Sequence, residues 1–127
     1  MAMNNNNNKA VIDSSALRAL FYNEPGAEQV YKILDGACLS AVSLASLLGD
    51  IQKEGGNTEL ILKHLDTLAL TICPFDYEQV CTATRHFFAL SFECRAALAL
   101  AISLNLPLYS ANGALTKVEL PIKLVIL

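Results

Sequence analysis

Asp13 is the first residue whose type and setting suggest chemistry. It ends a short apolar run, Ala10-Val11-Ile12, and two serines follow it. A carboxylate at the end of a buried strand can hold a cation. It can equally accept hydrogen bonds from the backbone donors that open a helix, here those of Ser14 and Ser15. Two more polar groups follow apolar runs in the same way. Ser43 to Ser46 follow Ala37 to Val42, and Ser110 to Asn112 follow Pro107-Leu108-Tyr109. Cys94 lies beside Arg95 at a predicted helix start, where a thiol pKa tends to fall. With Asp13 and Asn112 near it, such a thiol would hold a soft metal or react with oxidants. Its plainer role is that of a small buried hydrophobe.

Other chemistry-bearing residues are less pointed. His64 and His86 are lone histidines on amphipathic stretches, and neither pairs with a Ser or Cys as a nucleophile's base would. Arg18, Arg85 and Arg95 could meet RNA phosphates, although ordinary solvated charge fits them as well. Phe87, Phe88 and Phe92 read as core or dimer contacts rather than base-stacking platforms.

The elements that must position these residues can be read from hydropathy. Ala10–Ile12 is a buried strand, and the serines after it start a helix through Leu17, Leu20 and Phe21. Asn23-Glu24-Pro25-Gly26 is a turn, with Pro25 placed to begin a helix through Val30, Ile33 and Leu34. Residues 37–42 form a second strand, and Ser43 begins a helix through Leu47 and Ile51. After Gly55-Gly56, Asn57 or Thr58 caps a helix containing Leu60, Ile61 and Leu65. A third strand over 68–73 ends at Pro74, and Asp76 caps the helix after it. An Ala- and Leu-rich helix runs over 94–104. A fourth strand covers 107–110 and a fifth covers 122–127. Strands alternating with helices imply a parallel sheet of about five strands covered on both faces, an α/β/α sandwich. Ligands of such sheets bind beyond the carboxyl ends of the strands. Asp13 and Asn112 would meet there.

Composition narrows the class. The chain has 127 residues, 54% apolar and 17% charged, enough for one domain with a real core. A net charge of −3 argues against gripping nucleic acid by bulk charge. The longest apolar stretch, 96–108, is interrupted by Ser103, Asn105 and Pro107, so no membrane span is expected. The start, MAMNNNNNK, has no signal-like apolar region, which makes the cytoplasm the default compartment. Residues 1–8 read as a disordered Asn-rich tail and 9–127 as the domain. Cys38, Cys73, Cys81 and Cys94 show no paired spacing and read as reduced core thiols.

The ordered pieces resemble a known family. Val11-Ile12-Asp13-Ser14-Ser15-Ala16-Leu17 followed by Asn23-Glu24-Pro25-Gly26-Ala27-Glu28 is similar to the opening of a PIN domain of the VapC toxin type. The likeness continues through Leu39-Ser40-Ala41-Val42, Pro74-Phe75-Asp76, Leu90 to Ala101 and Leu106 to Asn112, so it spans residues 9–127. It implies a PIN-like three-layer fold and a metal-dependent ribonuclease of a type II toxin–antitoxin system. Four acids would hold Mg²⁺ or Mn²⁺, which generates hydroxide and neutralises the phosphate. The resemblance also implies a homodimer and a cognate antitoxin as partner, with RNA as substrate.

The site implied by that resemblance is degenerate. The first acid is Asp13, but Ser46, Cys94 and Asn112 stand at the other three positions. Two acids could compensate. Asp50 lies four residues after Ser46 on one helical face, but ~6 Å along the axis, so it would act only through a water. Glu93 adjoins Cys94 and is longer, but one residue is about 100° around a helix; if residue 93 is still non-helical, its carboxylate could swing in. The reading is therefore a VapC-like protein with catalysis lost or weakened. The alternative is a non-catalytic PIN-fold module that binds an antitoxin, another subunit or RNA. If Asp50 and Glu93 both point away from Asp13, the enzyme reading fails.

Overall fold

The computed structural model describes residues 9–85 and 87–127. The Asn-rich segment 1–8 and His86 lie outside the described residues. In chain order the elements are β1 (Ala10–Ile12), α1 (Ser14–Tyr22), α2 (Ala27–Ile33), β2 (Ala37–Ser40), α3 (Ala41–Lys53) and α4 (Thr58–Asp66). They continue with β3 (Thr71–Cys73), α5 (Tyr77–Arg85), α6 (Phe92–Leu104), β4 (Leu108–Ser110), a 3-10 turn (Gly113–Lys117) and β5 (Leu124–Ile126).

The five strands form one sheet in the order β3-β2-β1-β4-β5, and each adjacent pair is parallel. Val11 sits opposite Cys38 on β2 and Leu108 on β4. The strand order reverses at β1, between β2 and β4. That reversal leaves a crevice beyond the carboxyl end of β1, which is where Asp13 stands.

Alternate residues of each strand face opposite layers. Val11, Cys38 and Leu108 join a core with Cys94, Ala97, Leu98 and Ala101 of α6. Ile12, Leu39 and Ala37 join a second core with Leu17 of α1, Val30 of α2 and Leu47 and Ile51 of α3. Both faces being dry explains why the strands read as apolar runs rather than alternating ones. Burial also selects alanine in α6: Ala96, Ala97, Ala99 and Ala101 are all buried, which lets α6 pack against the sheet, α3 and α5 together.

Several boundaries differ from the sequence expectation. The second strand ends at Ser40, and residues 41 and 42 are already helical. Ser40 Oγ accepts from Val42 N at 3.1 Å, so this serine is the cap and starts α3 early. β3 begins at Thr71 rather than residue 68; Leu68 and Leu70 still pack on the core, but from a turn. Pro25 lies in a turn and α2 starts at Ala27. Helix α6 begins at Phe92, capped by Ser91 Oγ on Cys94 N, so residue 93 is helical. β4 and β5 are also shorter than expected. Asp76 caps as expected, accepting from Gln79 N at 2.9 Å.

Candidate functional site

The crevice is built from five segments. β1 ends at Ile12, and Asp13 continues extended before α1, so Asp13 rather than a serine is the N-cap. Its Oδ1 accepts from Ala16 N at 2.9 Å and from Ser15 Oγ at 2.6 Å. Ser15 Oγ in turn accepts from Ala111 N at 2.8 Å and stands 3.2 Å from Ser110 Oγ. The carboxyl end of β4 is thereby tied to the first turn of α1. Asp13 is 1% exposed, and its Oδ2 is buried with no hydrogen-bond partner.

Glu93, in the first turn of α6, reaches the same crevice. Its Oε2 accepts from Ser14 N at 3.2 Å and from Ser43 Oγ at 2.6 Å. Ser43 is fully buried, in the first turn of α3. Residue 93 is helical, and its carboxylate nevertheless reaches the crevice. Glutamate is long enough to lean across the gap between α6 and α1, and two donors wait there.

Burial pushes the Asp13 carboxyl above its ordinary pKa, and the nearby Glu93 charge adds to the rise. The Ser110 and Ser15 hydroxyls and the Ala16 N–H oppose it without cancelling it. Cys94 is buried beneath Asp13, and burial raises its thiol pKa, with Glu93 and Asp13 adding to the rise. Of the two readings of Cys94, burial supports the small buried hydrophobe and not the activated thiolate. Arg95 turns away, donating from Nη1 to the Ala83 carbonyl at 3.5 Å, and two carboxylates rather than a cation face the thiol.

Asn112 contributes a donor to the crevice. Its Oδ1 accepts from Ala114 N at 3.0 Å and caps the 3-10 turn, while Nδ2 donates to Cys94 Sγ at 3.0 Å. The structure thus brings Asp13, Glu93, Cys94 and Asn112 together. Ser46 lies one turn beyond Ser43 on α3, half-buried. Asp50 is another turn further and exposed, which removes it from the group.

Sequence reasoning did not single out Ser43 as a contact to Glu93, nor Ser15 as the link to β4. A serine in the first turn after each cap was the available signal. The remaining arginines lie elsewhere. Arg18 is held by Glu54 at 3.2 Å and Glu24 at 3.6 Å, and stacks over Tyr22. Arg85 is exposed at the end of α5. His64 meets Phe21 edge-on, a packing role.

Solved structures share this architecture. A DNA-bound VapBC from Salmonella typhimurium superposes with a TM-score of 0.72 over 92% of this chain and 96% of that one, at 16% identity. The chain has the VapC-type PIN fold. A sarcin-ricin-loop-cleaving VapC toxin from Mycobacterium tuberculosis gives 0.70 at 13% identity, covering 86% of this chain and 94% of that one. A toxin–antitoxin complex from Klebsiella pneumoniae gives 0.65 at 17% identity, covering 82% and 87%. No family model and no curated protein sequence matches the chain. At these identities the likeness establishes the fold. No helix among the described residues is long and apolar enough to cross a membrane.

The crevice does not fit the divalent cation that a VapC resemblance implies. A hard cation needs several oxygen ligands that are not already occupied by donors. Both bonds to Asp13 fall on Oδ1 and both bonds to Glu93 fall on Oε2, so only the second oxygen of each carboxylate is left to offer a cation. Asn112 presents N–H, and Cys94 holds its proton in this setting. Among the described residues no group of three or more His, Cys, Asp or Glu is arranged to hold a metal ion. A cation here would have two carboxylates and no third protein anion.

Proposed function

We propose that this chain is the toxin-type member of a toxin–antitoxin pair that works by binding, with its ribonuclease centre dismantled. The observation that supports this most is the orientation of Asn112. At the fourth acid position an amide turns its NH₂ toward Cys94 and gives its oxygen to the backbone. An N–H donor repels a cation where a ligand is needed. Asp13 then serves as the cap of α1 and the link to β4.

The partner we propose is an antitoxin, since solved structures with this fold include a toxin–antitoxin complex and VapBC assemblies. A groove of about 340 Å³ between α1, α3 and α4 suits an apolar segment of such a partner. Phe21, Ile51, Leu60 and Ile61 line it, with His64 and Asn57 at its edge. Leu60 and Tyr22, both lining it, are half-exposed. We also propose a homodimer, because Tyr77, Phe88 and Phe92, which do not line that groove, are exposed as well.

A cleavage assay on structured RNA tests the reading. With Mg²⁺ or Mn²⁺ supplied, the native chain should cut no faster than Asp13→Ala. Cleavage that Asp13→Ala abolishes contradicts it.

A further inference from the structure

We propose that Glu93 is a hydrogen-bonded clasp that ties the starts of α1 and α3 to the start of α6, replacing the shared cation that would otherwise draw these elements together. This rests on the reading that the crevice takes no divalent ion. Three helices begin at the sheet's carboxyl edge, and each leaves backbone donors without partners in its first turn. Ser14 N–H is such a donor on α1, and Glu93 Oε2 takes it across 79 residues of sequence. The same oxygen takes the Ser43 hydroxyl from α3 across 50 residues, at 2.6 Å. One carboxylate oxygen therefore joins three elements far apart in the chain.

The charge makes the joint strong. Hydrogen bonds to a carboxylate are roughly twice as strong as neutral ones, and this one is part-buried. The position also favours an anion, since the N-terminus of α1 carries partial positive charge. Mutual repulsion between Asp13 and Glu93 opposes these gains. A pair of acids poised for a metal and left without it has only the repulsion. The clasp has two donors aimed at Glu93, so removing Glu93 should weaken the fold. The sign of that change separates a clasp from a cation ligand.

The test is a double-mutant cycle at Glu93 and Ser43, read as folding equilibrium constants from denaturant unfolding, with Mn²⁺ and with EDTA. Glu93→Ala should lower the constant at least tenfold, because Ser14 N–H and Ser43 Oγ lose their acceptor. Ser43→Ala should lower it about tenfold in the native chain and scarcely at all beside Glu93→Ala. Glu93→Gln keeps an acceptor without the charge, so its coupling to Ser43 should fall to about threefold. If Glu93→Ala does not fold, the Glu93→Gln cycle decides alone. Mn²⁺ and EDTA should move none of these values.

Three results overturn the clasp. One is a Glu93→Ala chain as stable as the native one or more so. Another is a coupling unchanged in Glu93→Gln. The third is a Mn²⁺-induced stabilisation of the native chain that Glu93→Ala removes. That last result without RNA cleavage would sink the clasp and leave the binding reading standing. Cleavage in a chain with no Mn²⁺-linked stability would do the reverse.

Discussion

Ser46→Glu, Cys94→Asp and Asn112→Asp together should turn the chain into one whose stability depends on Mn²⁺. Cys94 and Asn112 already touch at 3.0 Å, and Asp13 is close enough to act on the Cys94 thiol. Ser46 is one turn past Ser43, on the helix whose start is held to the crevice by Glu93. Carboxylates at all three positions would add to Asp13 and Glu93 and repel one another. Without metal the variant should melt well below the native chain. A cation bound at a thousand times its dissociation constant restores about 4 kcal/mol, which for a domain this size is roughly 10–15 °C. The native chain should show no such rise. Differential scanning calorimetry with and without Mn²⁺ measures both. A variant that folds but gains no Mn²⁺-linked rise would mean that Ser46, Cys94 and Asn112 do not surround one cation-sized space.

Asp13→Asn should stabilise the native chain at neutral pH. Asp13 Oδ1 has its two donors, but Oδ2 is buried without one, so the ionised carboxyl is only partly compensated. Asparagine can keep the Oδ1 bonds, so α1 retains its cap. The substitution removes the buried charge and its repulsion with Glu93. The gain should be about 1–2 kcal/mol at pH 7. Its pH dependence follows from the raised carboxyl pKa. The folded state holds the Asp13 proton more tightly than the unfolded chain does. The native protein therefore has the full benefit below the ordinary aspartate value, about 4, and loses it as pH climbs through the raised folded value. The advantage of Asp13→Asn should be absent in acid and grow with rising pH. Glu93 and Cys94 are the other titratable groups facing this carboxyl, and both are unchanged by the substitution. Urea unfolding from pH 3.5 to 8 follows the difference. A loss of stability at pH 7 would mean that the charge at Asp13 has a partner after all.

The layers of the fold were legible because each strand is buried on both faces. Val11 and Ile12 enter opposite cores, and so do Cys38 and Leu39, which leaves an unbroken apolar run in the sequence. Ends were harder to read. Ser40 lies in a run that looks like strand, yet its hydroxyl caps a helix, and nothing local distinguishes those roles. The crevice was legible as a place, since Asp13 and Asn112 each follow a strand that adjoins the other. Its bonding was not. The contacts of Glu93 span 79 and 50 residues, and its reach depends on how α6 leans against α1 and α3. Periodicity placed residue 93 at an unfavourable angle but could not weigh the length of its side chain. The buried reading of Cys94 agrees with its 2% exposure, and the alternative of a low-pKa thiolate fails for a related reason. Arg95 is adjacent in sequence but turns to the Ala83 carbonyl, while the charges that act on the thiol are those of Glu93 and Asp13.

Cleavage by a VapC-type centre needs a bound cation. Isothermal calorimetry of Mn²⁺ into the native chain tests most directly whether this chain takes one, with Asp13→Ala titrated beside it. The account predicts only heats of dilution for both proteins, up to millimolar Mn²⁺. A saturable, one-to-one binding isotherm in the native chain that Asp13→Ala abolishes would contradict it.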